Sequence, residues 1–468
     1  MKANPTPENP AFATLAQLGE WLRSEKTTPS RLVEYFLERL DRLGGTYHAV
    51  VTVMATRARA EAAKAEQELA AGKDRGPLHG IPYGIKDLFA AKGGPTTWGA
   101  APYRDRVIDV DATVVTRLAD AGAILCAKLA TVEIAGGMGY QQADASLTGP
   151  GINPWNSSAW SGGSSTGPGI AVAAGLVPFA IGTETWGSIM TPAAYCGVSA
   201  MRPTYGRVSR HGAMPLAWTM DKVGPFARTA EEVGIVLQAI AGPDPKDPTT
   251  LPAALVRSAT PLDRKFHIVV LKGSDERVQA EVKANFASSL KILRELGEIE
   301  ERELPQLPLD AAADIIVSAE MSSSMEDLIG SEDAQRLQAP EDRIGGIANG
   351  VIFAKDYLRA LRLRGKAMQV YDEWFAGIDL VAVPSMAAVA CPLELPFREY
   401  FSKYRGTPLS GAGNLLGLPA ISIPNGFGER GLPTGLQLVG PSLAEPILFH
   451  VAEELQKRSD WHQHCPPV

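Results

Sequence analysis

The chain has 468 residues, 45% of them hydrophobic and 21% charged, and a formal net charge of -7; this balance suits a folded, enzyme-sized protein and excludes fibrous, collagen-like or wholly disordered character. Lys and Arg are scattered without a basic block, which leaves no electrostatic footprint for nucleic acid. The longest apolar stretch, Gly169 to Ile181, is shorter than the roughly 20 residues that span a bilayer and is broken by Pro178, so it reads as a buried helix entering a strand and gives no reason to expect a membrane partner.

In chain order, the first 15 residues contain one lysine and no hydrophobic run, so no signal peptide is expected and a cytoplasmic location is. Residues 12 to 73 read mainly as helices. Thr28-Pro29-Ser30 is an N-cap with proline at the first helical position, followed by Leu32, Val33, Phe36, Leu37 and Leu40 at helical spacing. The stretch 56 to 71 is rich in Ala, Glu and Lys, and Gly72 closes it. Ala112 to Ala121 is amphipathic, Gly122 ends it, and Ala123 to Ala127 is a short apolar run typical of a buried strand. Further on, Thr229 to Glu232 opens a helix with a capping box, and Gly242 to Pro248 carries a linker signal. His267 to Leu271 reads as a strand, 276 to 296 as a helix and 308 to 376 as mostly helical. Three short strands close the chain, at Asp379 to Pro384, Ala420 to Pro424 and Gly435 to Gly440. This alternation specifies an α/β fold.

The four cysteines, Cys126, Cys196, Cys391 and Cys465, lie far apart and form no ligand-spaced cluster with histidine, so neither a metal, a cofactor nor a disulfide framework is expected. The chemistry-bearing residues are concentrated elsewhere. Lys86 sits in the apolar, glycine-rich turn Gly80-Ile81-Pro82-Tyr83-Gly84-Ile85-Lys86-Asp87. A glycine-serine cluster follows at Gly162-Gly163-Ser164-Ser165-Thr166-Gly167, and a second serine in Gly182-Thr183-Glu184-Thr185-Trp186-Gly187-Ser188-Ile189. No Gly-Lys-Ser/Thr follows the glycines, so this is no P-loop. Gly163 to Gly167 also satisfies the Gly-x-Ser-x-Gly elbow of α/β-hydrolases, but the polar, proline-broken run before it is no strand, as that motif requires.

The lysine and two serines, in this order, resemble the amidase signature family, and the resemblance extends over most of the chain. It includes Asp111 to Leu125, Asn153-Pro154-Trp155, Gly197 to Ser209, Asp221-Lys222-Val223-Gly224-Pro225, Asn414 to Pro424 and Gly431 to Pro441. It implies a mixed central β-sheet covered by helices on both faces. It further implies a single domain over 1–468, with a helical part at 1–75, a signature core at 76–242, an α/β and helical substrate side at 262–380 and a C-terminal return at 381–468. The activity it implies is hydrolysis of a small amide without metal or cofactor. Lys86 would be the base, Ser164 a bridging serine on a cis Gly163-Ser164 peptide, and Ser188 the nucleophile that forms an acyl-enzyme. A lysine held neutral by burial serves as base in Ser-Lys variants of the serine triad. The backbone N–H groups of Thr185, Trp186, Gly187 and Ser188 would form the oxyanion hole, with Ser165 and Thr183 positioning the loop and Lys86.

Most relatives read Gly-Gly-Ser-Ser-Gly-Gly and Gly-Thr-Asp-x-Gly-Gly-Ser-Ile-Arg. Here Thr166, Pro168, Glu184, Trp186 and Met190 depart from that pattern. The arginine that usually follows Ser-Ile is missing, so its ion pair with the nearby acid is expected to be lost, and the Trp186 indole either reshapes the pocket or packs behind the loop. Candidate pocket walls are 134 to 140, with Gly137, Met138, Gly139 and Tyr140, the helical segment 314 to 325 with Met321, and the loop 385 to 392. Within the family, Arg207 to Gly224 looks most like bacterial amidases that include carbamate-cleaving urethanases. A small aryl or hydrophobic amide or carbamate is therefore the expected partner, for a monomer or homodimer. The alternative activity is that of the glutaminase component of a tRNA-dependent amidotransferase, and a non-catalytic module is disfavoured by the intact lysine and serines.

Overall fold

The computed structural model describes residues 9–253, 255, 264–406 and 409–468. Residues 1 to 8, part of the segment without a leader-like run, and residues 261 to 263, around the expected start of the substrate side, lie outside the described residues. Among the described residues eleven strands form one sheet: β1 Val50–Val53, β2 Pro82–Lys86, β3 Ile124–Leu129, β4 Phe179–Glu184, β5 Ser199–Arg202, β6 Lys222–Ala227, β7 Phe266–Leu271, β8 Gly297–Arg302, β9 Leu380–Pro384, β10 Ala420–Phe427 and β11 Pro433–Val439. Their spatial order is β1-β3-β2-β4-β6-β5-β10-β11-β9-β7-β8. β3, β2 and β4 run parallel, as do β8, β7 and β9, and antiparallel pairs join these two blocks through β6, β5, β10 and β11. The sheet is mixed, and the fold is α/β.

Successive strand residues point to opposite faces, and the core divides accordingly. In β9, Val381 and Val383 enter one buried cluster while Leu380 and Ala382 enter the other. The first cluster is covered by the helices Ala55–Ala70, Thr166–Ala173 and Leu309–Ser324, and the second by Ala230–Ile240, Ala280–Leu296 and Glu445–Lys457. Both faces are therefore sealed.

Local signals in the sequence fix several of these elements. The Thr28 hydroxyl accepts the N–H of Arg31 at the start of Pro29–Leu43, and Thr229 and Glu232 complete a reciprocal capping box at Ala230–Ile240. The stretch 12 to 73 is not wholly helical. Val50–Val53 is a strand, because it pairs antiparallel with β3 at the sheet edge, a contact that helical propensity in the flanking segments does not anticipate. The helix expected from 276 begins at Ala280. The segment 242 to 248 is a packed corner instead of a linker. Asp244 accepts hydrogen bonds from the Ser209 hydroxyl at 2.6 Å and the Thr113 hydroxyl at 2.5 Å, and Asp247 accepts the N–H of Arg210 at 2.9 Å.

The glycine-serine cluster feeds the helix Thr166–Ala173, which leads into β4. Pro168 is tolerated in its first turn, where a backbone N–H has no helical partner in any case. Gly167 has no such latitude. A Cβ there would lie 2.3 Å from the backbone N of Ala130 and 2.6 Å from the carbonyl oxygen of Ala49. Gly167→Ala must push two backbone segments apart, and a loss of about 1 to 3 kcal/mol is expected in a denaturant titration. An unchanged midpoint would show that the approach is not tight.

Candidate active site

Lys86, the last residue of β2, is fully buried. Its Nζ donates to the Ser164 hydroxyl at 2.8 Å and to the Thr183 hydroxyl at 2.9 Å, and the Gly163-Ser164 peptide is cis. Burial pushes its proton affinity well below that of an ordinary lysine, against the opposing influence of Asp221 and Glu184. The amine is thus favoured in its neutral, basic form. Ser165 joins the same cluster: its hydroxyl donates to the Thr183 carbonyl at 3.1 Å, and its N–H donates to the Ser188 carbonyl at 3.2 Å. The Ser188 side chain makes no hydrogen bond among the described residues.

Ser188 lies in the turn between β4 and the helix Met190–Cys196. Gly187 takes a left-handed conformation there, with φ of 83°, which suits glycine. The N–H groups of Trp186, Gly187 and Ser188 make no backbone hydrogen bond among the described residues. Donors left free at a half-buried turn are the raw material of an oxyanion hole.

The pair that the missing arginine would make is absent, as expected, but the acid before this turn is matched by an arginine from elsewhere. Glu184 Oε1 meets Nη1 of Arg202, from β5, at 2.8 Å, and Oε2 accepts the N–H groups of Ile189 at 2.7 Å and Met190 at 3.0 Å. Burial raises the Glu184 carboxyl, but Arg202 and Lys222 outweigh it and hold it down to about 2. The partner comes from a neighbouring strand, so the local motif could not reveal it. The carboxylate also caps the first turn of the Met190–Cys196 helix, where negative charge is favourable.

Two further groups carry no warning in the local sequence beyond their family-like block. Asp221, just before β6, accepts the Thr185 hydroxyl at 2.5 Å and the N–H of Leu216 at 2.9 Å. Lys222 Nζ is 3.3 Å from the Asn414 carbonyl, and burial, aided by Arg202, brings it down to about 7.

The expected pocket walls separate. Gly137 lies against Leu216 and Met321: a Cβ on it would be 2.4 Å from Leu216 Cδ1 and 3.0 Å from Met321 Cγ. Met138 is buried in the same apolar cluster, and Gly139 faces open space. Tyr140 instead packs edge-on against Trp160 and Phe397. Loop 385 to 392 approaches the helix Met190–Cys196 that follows Ser188, where the Thr191 hydroxyl donates to Met386 Sδ at 3.7 Å. The Trp186 indole leans away toward the helix Ser410–Leu415, donating to the Ser410 hydroxyl at 3.1 Å.

A cavity of about 210 Å³ adjoins the cluster, with Thr183, Thr185, Asp221, Leu88, Met214 and Leu216 among its walls. Ser164 and Ser188 are not among them, so the cavity meets the cluster from the Thr183 side. It opens beside Trp218 and the exposed Lys246. Among the described residues no group of acids, histidines and cysteines has the geometry to hold a metal ion. No described helix is long and apolar enough to cross a membrane.

Residues 31–449 match the family model described as Amidase. The chain belongs to the amidase family. It is a hydrolase of carbon-nitrogen bonds. It is 32% identical, over 98% of its own length and 100% of the relative's, to the A component of the glutamyl-tRNA(Gln) amidotransferase of Cyanothece sp. (strain PCC 7425 / ATCC 29141). Among solved structures, this amidase superposes on the native peptide amidase of Stenotrophomonas maltophilia with a TM-score of 0.82 at 28% identity, covering 97% of this chain and 98% of that one. It also superposes, with a TM-score of 0.86 at 28% identity over 96% and 99% of the two chains, on a chain of a vestigial protein complex that bears on the origin of an s-triazine catabolic enzyme.

Removing Arg202 from this amidase leaves Glu184 buried without its ion-pair partner. Arg202→Met should cost about 3 to 5 kcal/mol in a denaturant titration. Because the Glu184 carboxyl is depressed in the folded state, its contribution is full above the ordinary carboxylate range and fades as pH falls toward 2. That acid-side slope should shrink in the variant, and an identical slope would assign it to other carboxylates.

Proposed function

We propose that this amidase hydrolyses a small aryl or hydrophobic amide, including carbamates, through Ser188, Ser164 and Lys86. The observation that carries the reading is the buried Lys86 amine, with hydroxyl partners at 2.8 and 2.9 Å. Neutral Lys86 takes a proton from Ser164, which takes one from Ser188 as the Ser188 oxygen attacks the carbonyl carbon. The N–H groups of residues 185 to 188 hold the developing oxyanion. Ser164 then protonates the departing nitrogen, the carbon-nitrogen bond breaks, and water releases the acyl group by the same relay in reverse. The Ser164-to-Ser188 contact closes on substrate binding, as catalytic hydrogen bonds commonly tighten only in the complex.

The substrate class rests on the cavity beside Thr183 and Thr185. Leu88, Met214, Leu216 and Val223 give it an apolar wall facing the charged Arg210, Asp221, Lys222 and Asp247, and about 210 Å³ is room for a ring-sized group. The glutaminase reading keeps a specific support in the 32% identity to an amidotransferase A component over 98% of this chain. In that case the chain would release ammonia from glutamine beside partner proteins.

Ser188→Ala should abolish turnover without unfolding the protein, and Lys86→Ala or Ser164→Ala should each lose several orders of magnitude in kcat, non-additively. Activity of Ser188→Ala within about tenfold of the parent would reject the assignment. For the substrate, kcat/KM of the isolated chain should favour anilides and aryl carbamates over small aliphatic amides by about 10- to 100-fold, the worth of burying one ring. Activity on glutamine alone, or only with partner proteins added, would select the amidotransferase reading.

A further inference from the structure

The charge nearest in effect to the buried amine comes from a residue outside the Lys86, Ser164 and Ser188 set. Asp221 is 8% exposed and sits where three structural units meet. Its Oδ1 accepts the hydroxyl of Thr185, the first residue of the oxyanion turn, at 2.5 Å. Its Oδ2 accepts the N–H of Leu216 at 2.9 Å, and the N–H of Ala217 points at both oxygens, 3.2 and 3.1 Å away. Leu216 in turn packs on Gly137 and Met321. One carboxylate therefore ties the oxyanion turn to a wall of the pocket.

The same group lies near Lys86: Thr183, whose hydroxyl meets the Lys86 amine at 2.9 Å, and Asp221 line one cavity. Two carboxylates favour the protonated lysine, Asp221 first and Glu184 second. Glu184 has its charge matched by Arg202 at 2.8 Å. Asp221 is held by a hydroxyl and two backbone N–H groups, with Arg210 a weaker and more distant influence and Lys222 beside it in the chain. Burial raises the Asp221 carboxyl, yet all three hydrogen-bond partners donate, an arrangement that suits the ionised form. Its field on the amine is consequently the less cancelled of the two.

We propose that Asp221 is a positioning residue of the hydrolysis, tying Thr185 to the Leu216 wall and supplying the negative charge that keeps Lys86 basic enough to draw a proton through Ser164. The two duties are separable. Burial alone makes Lys86 neutral but a weak base, and a nearby carboxylate restores proton affinity. Without that charge the amine deprotonates at lower pH and pulls less strongly on the serine relay. Without the Thr185 tie, the donors of the oxyanion turn lose their fixed position while the base keeps its strength.

This inference rests on Lys86 being the base, and the test separates the two. The probe is an arylsulfonyl fluoride, whose rate of covalent attachment to Ser188 is followed by mass spectrometry across pH, so that slow variants remain readable. In the parent the labelling rate should rise with pH on the acid side, and Lys86→Ala should abolish that limb; its survival would overturn the base assignment itself. Asp221→Asn should move the limb about one pH unit lower and slow labelling at the plateau. Thr185→Val should slow the plateau at least tenfold with the limb unmoved, and Thr185→Ser should recover it. An unmoved limb in Asp221→Asn, or an equal displacement in Thr185→Val, would overturn the assignment of the charge to Asp221. Should Asp221→Asn fail to fold, Asp221→Glu, which keeps the charge but displaces it, must keep the parent's limb while losing plateau rate; a limb displaced as far as one pH unit would overturn the proposal.

Discussion

The structure around the site depends on one costly act, the burial of a lysine amine with two hydroxyls as its hydrogen-bond partners. In water Lys86 would be charged and inert as a base. At the end of β2, walled in by β4 and the glycine-serine turn, it meets the Ser164 and Thr183 hydroxyls, and desolvation shifts it toward the neutral amine. Such a group is tolerated only where its surroundings are fixed. The helix Thr166–Ala173 is held close, because the Gly167 N–H donates to the Ala130 carbonyl at 2.9 Å and the absent Cβ lets the backbones of Ala49 and Ala130 approach.

Around that amine the electrostatics are layered. Glu184 and Arg202 neutralise each other while the carboxylate organises the N–H groups just after Ser188. Asp221 keeps more of its field and accepts hydrogen bonds from the Thr185 hydroxyl and from the backbone of the Leu216 loop. The two carboxylates follow different rules: one is matched by a cation and serves geometry, the other is matched by dipoles and serves both geometry and charge. The Glu184 pair also shows how a motif can lose a residue without losing its interaction. Met190 stands where relatives place an arginine, and the guanidinium arrives from β5 instead.

The amidase assignment and the substrate question sit at different depths. Carbon-nitrogen hydrolysis follows from the family, which covers residues 31–449. Substrate preference belongs to walls contributed by separate loops, and the same fold serves many chemistries. Leu216 and Gly137, 79 positions apart in the chain, meet in one wall. Tyr140, in the same glycine-rich segment as Gly137, instead joins the Trp160 and Phe397 aromatic cluster.

The sequence by itself determined what short-range chemistry dictates. Caps at Thr28 and Thr229, the apolar runs at 123 to 127 and 267 to 271, and the alternation of helix and strand were legible, and motif order singled out Lys86, Ser164 and Ser188 as candidates, of which the fold brings Lys86 and Ser164 into contact. These rest on contacts a few residues apart or on residue types that only one chemistry requires together. Tertiary structure decided the rest. It turned 50 to 53 into an edge strand, packed 242 to 248 against Ser209 and Thr113, paired Glu184 with Arg202 and brought Asp221 to Thr185. Each of these joins residues 18 or more positions apart, and their partners are chosen by the order and register of strands in the sheet. Local propensity and spacing carry no information about which strand lies beside which, so the electrostatic surroundings of Lys86 became visible only once the sheet was assembled.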